Sequence, residues 1–413
     1  MEGARFDVVI VGGGPAGLTA AHVLGDAGAT VLVVEKDREI GEPVRTSGGT
    51  WIRDMAVHGI PADLYHPLRR VRLVTAGSEA TFEHREAVAC VLDVRRAYRY
   101  LASRSVQAGA SVRTGTTFEA LSTRQGHPSG AVLRHASGRT EQVRAEVVVD
   151  ASGYAARPSR RFGVPMGPRL YGLGVEEELE APAYDQDEAV LILGREFAPD
   201  GYAWAFPCGR GRVRVGVGVS LPISGPEPAE LLRRLRLESP HLREALAGAR
   251  RVEVHRGIVP FSPPSEPLVW NGLVRVGDAA GQVSALAGEG IRLAMDAGAI
   301  AARAIRGALE DGGPGSARLR EYERSWRRSQ GRELRAAYRV HRRLLGQTDA
   351  DWERLGRALR PLAAGQIDRV LRSRYSAVWV MGVVVRSPRT IPEGIRLLRP
   401  RPGSSRPGRS ASA

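Results

Sequence analysis

Phe6-Asp7-Val8-Val9-Ile10-Val11-Gly12-Gly13-Gly14-Pro15-Ala16-Gly17-Leu18, together with Thr30-Val31-Leu32-Val33-Val34-Glu35-Lys36 a short way on, decides the fold. Phe6–Val11 is apolar and rich in β-branched side chains, as expected of a strand buried on both faces. A glycine-rich turn follows, and Leu18–Leu24 then reads as a helix. Thr30–Val34 is a second strand that ends on Glu35. Together they form one βαβ unit of about 30 residues. Gly12 permits the tight turn, Gly14 lets the backbone approach a pyrophosphate, and Gly17 lets helix and strand pack closely. The helix start, with Pro15 and Ala16 in its first turn, supplies unpaired N–H groups and partial positive charge for phosphates. Glu35, next to Lys36, would accept hydrogen bonds from ribose hydroxyls and repel a 2′-phosphate, which disfavours NADP at this turn. The turn alone does not separate FAD from NAD.

A second region does. Leu273–Val276 reads as a buried strand, followed by Gly277-Asp278-Ala279-Ala280-Gly281; Gly288-Glu289-Gly290-Ile291 then opens an Ala-rich helix over Gly290–Leu309. An aspartate after a strand can hold the ribityl or pyrophosphate part of an extended dinucleotide. A glycine-rich helix start can stabilise negative charge on a reduced flavin ring. The Gly12–Glu35 unit, Asp150-Ala151-Ser152-Gly153 and Gly277–Gly281, in this order, resemble the flavoproteins of the para-hydroxybenzoate hydroxylase type. Within them the chain is most similar to the geranylgeranyl reductases. Three stretches carry the narrower likeness: Ile40-Gly41-Glu42-Pro43-Val44-Arg45, Tyr202-x-Trp204-x-Phe206-Pro207 followed by Gly216-x-Gly218, and Gly277–Met295. The resemblance spans roughly residues 5–310.

It implies non-covalent FAD, held by the residues above with Arg45, Arg95, Asp150 and Gly153. Arg96 competes with Arg95 for its place, and Asp150 is equally readable as a structural turn acid. Tyr202, Trp204 and Phe206 alternate, so they share one strand face. Turned inward they would form an aromatic substrate wall; by periodicity alone they are an ordinary core face. The resemblance also implies an enzyme that reduces C=C bonds of an isoprenoid or similar apolar substrate by hydride transfer from reduced flavin. A flavin monooxygenase or epoxidase of secondary metabolism is the second reading, and a redox-neutral flavin-dependent cyclase the third. NADH or NADPH is the expected transient electron donor, with a reductase or ferredoxin partner as the other route. Many family members carry a cysteine just after the Pro-Val-Arg segment. Here the stretch reads Arg45-Thr46-Ser47-Gly48-Gly49, with no thiol: either Ser47 takes the position or the chemistry differs.

Composition sets the outer bounds. A chain of 413 residues with 60 basic and 45 acidic side chains, net +15, buries a sizeable core. Lys36 is its sole lysine, and the arginines are spread through every segment, so we read a solvated basic surface rather than a nucleic-acid footprint. The two cysteines, Cys90 and Cys208, exclude a disulfide framework and fit a cytoplasmic setting. No run of 18 uncharged apolar residues is present, and no metal-binding cluster is evident. The expected class is α/β: a Rossmann-like FAD-binding domain with a parallel sheet, a second lobe with an antiparallel sheet, and a C-terminal helical region. The expected division places FAD binding in 1–160 and 270–315, with 60–90 contributing to the second lobe. A substrate lobe would span 161–269, a helical region 316–399 and a disordered tail 400–413. Helices are expected over Val91–Gln107, Glu227–Leu246 and much of Ala317–Arg374. Strands are expected over Ser111–Gly115, Ala131–His135 and Glu146–Asp150, the last two closing the first sheet. Further strands are expected over Gly172–Glu178, Ala189–Leu193, Tyr202–Phe206 and Arg212–Val219. The short apolar stretch Trp379–Val385 would pack on the second lobe, or touch a membrane surface to collect a lipid.

Overall fold

The computed structural model describes residues 4–166, 170–223, 225–262, 267–313 and 315–374. Trp379–Val385 and the tail 400–413 lie outside them.

The chain opens with Arg5–Val11 (β1), Pro15–Asp26 (α1) and Val31–Val34 (β2), the expected βαβ unit. Gly49–Trp51 (β3), Ile52–Val57 (α2), Tyr65–Leu68 (β4), Arg70–Val74 (β5), Glu79–Glu83 (β6) and Ala89–Leu92 (β7) follow. Then come Val94–Gln107 (α3), Ser111–Arg113 (β8), Thr116–Arg124 (β9), His127–His135 (β10), Thr140–Asp150 (β11) and Arg157–Arg161 (α4). Tyr171–Glu180 (β12), Glu188–Ile192 (β13), Gly201–Gly209 (β14), Arg212–Ser220 (β15), Pro228–Glu238 (α5) and Arg250–Pro260 (β16) come next. The chain returns through Val269–Trp270 (β17) and Leu273–Arg275 (β18) to Ile291–Glu310 (α6). Ser316–Trp326 (α7), Arg332–Leu344 (α8), Asp349–Leu359 (α9) and Ala364–Leu371 (α10) finish it.

The first sheet runs β17-β18-β11-β1-β2-β8, with the β9–β10 hairpin attached to β11. β18, β11, β1, β2 and β8 are parallel. Val8, Val9 and Ile10 are fully buried, because helices cover one face and the hairpin side the other. Glu146–Asp150 does not close this sheet, contrary to expectation: β11 lies at its centre, between β1 and β18. Its run Val147-Val148-Val149 is buried on both faces, which is the demand a central parallel strand makes.

The second sheet runs β16-β12-β15-β14-β13-β5-β6, antiparallel except where β13 meets β5. One face packs Val213, Val215, Val217 and Val219 against Leu231, Leu232 and Leu235 of α5. The helix expected over Glu227–Leu246 stops at Glu238. Ser239 turns extended (φ −62°, ψ 118°), as the residue before Pro240 prefers. β16 was not expected; charged side chains on both faces of this edge strand leave no apolar stripe to mark it. A small sheet, β3-β7-β4, sits beside the two large ones. The arginine-rich region expected as helix is four helices, with a π-helical turn over Arg327–Gly331 between α7 and α8.

Candidate active site

One cavity of about 1190 Å³ runs from the end of β1 to the C-terminal helices. Its first end is the glycine turn. Gly12 has φ +118°, and a Cβ there would meet the carbonyl oxygen of Ala151 at 2.2 Å. Gly14 is the N-cap of α1, no side chain caps the helix, and a Cβ on Gly14 would meet nothing within 4 Å. The first-turn N–H groups therefore start from an open cradle. Gly17 lies one turn in, behind the cavity wall. The Glu35 carboxylate is fixed by two backbone donors, Gly13 N at 2.8 Å and Asp37 N at 3.0 Å. Each oxygen keeps a lone pair for a further hydroxyl donor. Lys36 and Arg45 both pair with Asp37 at the cavity edge. Burial alone would raise Asp37, but hydrogen bonds from these two cations hold its carboxyl below the usual range.

Asp150 is fully buried and does not line the cavity. Its oxygens accept Ser152 N and Oγ (3.1 and 2.6 Å) and Ser159 N and Oγ (3.0 and 2.5 Å). It is the structural turn acid that staples the loop after β11, and Gly153 on that loop faces the cavity. Arg95 does not face the cavity either. It is held between Glu42 and Glu253, while Arg96 pairs with Asp63 nearer the surface. Gly277, Asp278, Gly288, Gly290 and Ile291 line the middle of the cavity; Gly281 closes the turn behind them with φ +71°. Among the described residues no hydrogen bond reaches the Asp278 carboxyl, and burial pushes it up to about 6. An acid in that state calls for a hydroxyl or N–H donor from a ligand.

Tyr202, Trp204 and Phe206 share the inner face of β14, with ring centroids 5.7 and 6.2 Å apart in turn. Register explains why glycines accompany them. Trp204 lies opposite Gly216 and Tyr202 opposite Gly218 on β15. A Cβ at Gly216 would meet Trp204 Cζ2 at 2.3 Å, so the indole lies on bare backbone. Across that gap Trp204 Nε1 donates to Glu176 Oε2 of β12 at 2.9 Å. Tyr202 donates its hydroxyl to Ala287 O at 2.6 Å, which ties the wall to the loop that precedes α6.

The same inner face carries groups that sequence reasoning missed: Glu176 and Glu178 on β12, Arg214 on β15, and Glu253 and His255 on β16. Burial would raise Glu178, but the charge of Arg214 and hydrogen bonds from Arg214 and Arg212 hold it below its ordinary value. Arg214 Nη1 also donates to Ser47 O at 2.8 Å and Leu92 O at 3.1 Å, fixing the loop on which Ser47 reaches the cavity. Alternation on β16 (Glu253, His255, Gly257) was the available signal. On β12 it is masked, because Glu177 on the opposite face pairs with Arg236 and Arg251.

The far end is apolar. Val71 and Leu73 of β5, Leu191 of β13, Leu355 and Leu359 of α9 and Ile367 of α10 enclose it. The arginine-rich helices thus bury apolar stripes and keep guanidinium groups outward. A buried bidentate pair, Glu289 with Arg292 (2.8 and 2.9 Å), joins α6 to this bundle through Gln330. Arg292→Met leaves Glu289 buried without its partner and should cost about 3–5 kcal/mol, read as a lower urea midpoint. An unchanged midpoint would show that the pair carries no such weight.

Residues 7–157 match the FAD dependent oxidoreductase family, and residues 172–259 match the geranylgeranyl reductase catalytic domain. Digeranylgeranylglycerophospholipid reductase 2 of Methanothermobacter thermautotrophicus is 32% identical over 373 residues, 89% of this chain and 94% of the relative. Digeranylgeranylglycerophospholipid reductase of Methanosarcina mazei is 32% identical over 375 residues, 86% of this chain and 89% of the relative. The solved structure of a geranylgeranyl bacteriochlorophyll reductase-like protein from Thermoplasma acidophilum superposes with a TM-score of 0.84 at 25% identity, covering 95% of this chain and 99% of that one.

Proposed function

The chain belongs to the geranylgeranyl reductase family of FAD-dependent oxidoreductases, and from that premise we propose that it saturates C=C bonds of a polyprenyl chain carried by a lipid. The observation that carries the reading is the continuity of the cavity from the glycine turn at Gly12 to the apolar chamber under α9 and α10.

The residues present fit FAD. Gly12, Gly14 and the first turn of α1 with Pro15, Ala16 and Gly17 would receive the pyrophosphate, and Glu35 the adenosine ribose, with Lys36 and Arg45 close by. Asp278 would accept hydroxyls of the ribityl chain, backed by Gly277 and Gly281. Gly153 and the α6 start at Gly288, Gly290 and Ile291 would border the ring, and Arg95 and Asp150 would brace this site from behind. When bound and reduced, FAD supplies a hydride for the alkene. The chain's own part is to bind, align and exclude water. Tyr202, Trp204 and Phe206 would form the wall against which the alkene is aligned. The chamber beyond would hold the rest of the chain, at about 0.8 kcal/mol per buried CH₂. NADH or NADPH as transient donor, or a reductase or ferredoxin partner, belongs to the same proposal. So do a cytoplasmic setting and a peripheral membrane contact, supported by a lipid substrate and a net charge of +15. No helix among the described residues is long and apolar enough to cross a membrane.

The test is anaerobic incubation of dithionite-reduced protein with a geranylgeranyl lipid in detergent. The expected product is the lipid with two added hydrogens per reacted double bond, read by mass spectrometry. No saturated product, or an oxygenated product only when air is admitted, overturns the proposal.

Asp278 adds a pH signature. Its carboxyl holds a proton up to about 6 in the empty protein. Hydroxyl donors favour the charged form, so flavin binding should expel that proton and affinity should rise with pH between about 5 and 7. Calorimetry in two buffers of different ionisation enthalpy at pH 6 should show proton release, and D278N should abolish it. Equal heats in both buffers for the native protein would refute the assignment.

A further inference from the structure

Four strands place one row of residues across the inner face of the second sheet. His255 of β16 lies opposite Glu176 of β12, Glu176 opposite Gly216 of β15, and Gly216 opposite Trp204 of β14. Because Gly216 has no side chain, Glu176 reaches across it. Its Oε2 accepts Trp204 Nε1 at 2.9 Å, and its Oε1 lies 2.8 Å from His255 Nδ1. The other ring nitrogen, Nε2, is buried and lies 3.3 Å from Glu253 Oε2, at ion-pair distance but outside hydrogen-bond alignment. Glu253 in turn pairs with Arg95, which also holds Glu42. Exposure falls along the line: 33% for the Glu253 side chain, 2% for His255 and 3% for Glu176. Glu176, His255 and Trp204 all line the cavity.

A buried carboxylate and imidazole are costly in a sheet facing an apolar chamber. Saturation of an alkene offers a use for them. One carbon gains a hydride, and the other must gain a proton, which an acid on the cavity wall can supply. We propose that Glu176 donates this proton and that His255 returns it. The proposal rests on the reductase reading above. The balance closes. The alkene π pair forms the new C–H bond to the proton on Glu176 while the hydride, delivered from dihydroflavin that is thereby oxidised, forms the other. Glu176 is left as a carboxylate. His255 passes the proton on Nδ1 to Glu176 Oε1, 2.8 Å away, and takes up a replacement at Nδ1 from water once product has left the cavity that both residues line. The transfer from His255 to Glu176 crosses a hydrogen-bond gap seen in the structure. The charged and titratable groups around the row are Glu178 on β12, Arg212 and Arg214 on β15, Tyr202 and Cys208 on β14, Arg95 on α3, and Glu253 on β16, whose carboxyl burial would raise but the hydrogen bond from Arg95 and the neighbouring His255 hold below its ordinary value. Arg214 is matched by Glu178, and Arg95 by Glu42 and Glu253.

The test uses reduced holoprotein, with alkene-dependent flavin oxidation followed anaerobically by absorbance. Glu176→Gln keeps the shape and an acceptor for Trp204 Nε1 but carries no transferable proton. It should slow the alkene-dependent rate by about 100-fold or more, while flavin content and reoxidation by oxygen stay as in the native protein. His255→Ala should slow the same step and regain rate on addition of imidazole, with the regained rate rising with imidazolium concentration. A native-like rate in Glu176→Gln overturns the proposal. If Glu176→Gln fails to retain flavin, the His255→Ala series decides: recovery with imidazole sustains the relay, and no recovery overturns it. If the native protein itself saturates no prenyl lipid, it is the reductase reading that falls.

Discussion

Gly12→Ala is expected to give a colourless protein. The substituted residue would have to keep φ near +118°, where an L side chain is strained by about 1–2 kcal/mol. Its Cβ would lie 2.2 Å from the Ala151 carbonyl oxygen and 2.6 Å from the carbonyl carbon. Both are backbone atoms at the end of β11, and neither strand can slide, because Val11 is registered against Asp150 in the parallel ladder. The turn must therefore deform, and the N–H groups of α1 move with it. We expect the apparent FAD dissociation constant to rise at least about 100-fold, with a clear drop in thermal midpoint. Gly14→Ala is the contrast. Gly14 has φ −85°, and its Cβ would meet no atom within 4 Å, so the fold should keep its midpoint while flavin affinity falls. Absorbance of the purified proteins and a melting curve separate the two cases. A yellow Gly12→Ala protein with native affinity would contradict the placement of the cofactor.

Gly216→Ala should do the reverse, keeping the flavin and losing the reaction. A Cβ there would lie 2.3 and 2.5 Å from two indole carbons of Trp204 and 2.7 Å from Glu176 Cβ. Strand β15 is flanked by β12 and β14, so its backbone cannot retreat, and the indole has to leave its seat. The bond from Nε1 to Glu176 breaks, and a buried carboxyl group loses a donor, at a cost of about 1–3 kcal/mol. The substrate wall is lost as a shape at the same time. We expect alkene-dependent flavin oxidation to fall more than about 100-fold with FAD content unchanged, since the Gly12 turn belongs to the βαβ unit of the first sheet and Gly216 to the second sheet. Trp204→Phe removes the bond but keeps an aromatic surface, so its loss should be near the about tenfold that 1.4 kcal/mol represents. If Gly216→Ala reduces prenyl lipids at the native rate, the wall has no part in aligning the alkene.

Much of the flavin half was legible in sequence because its signals are local. Phe6–Glu35 carries strand, turn, helix and acid within one supersecondary unit, and each residue's task follows from its neighbours in the chain. The strands of the second sheet were legible one at a time, down to the aromatic face of β14. Helix α5 was overrun because its Ala/Leu-rich continuation hid the stop that Pro240 imposes through Ser239. Strand β11 was put at the edge because a strand's place in a sheet is set by its partners, not by its composition. What Asp150 bonds to was not legible in the sequence, because Ser159, which donates to one of its oxygens while Ser152 donates to the other, is brought back to it only by the turn after β11.

The amino-acid sequence by itself determined the cofactor class and that Tyr202, Trp204 and Phe206 make an aromatic wall on one strand face, because βαβ geometry and period-two alternation act over a few residues. Only the tertiary structure decided what stands beside that wall. Glu176 meets His255 and Trp204 through register across four strands, and the apolar chamber exists because α9 and α10 fold back over β5 and β13. Contacts between residues so distant in the chain leave no periodic trace. They arise when sheets pair and helices bury their stripes, and that outcome depends on the whole chain at once.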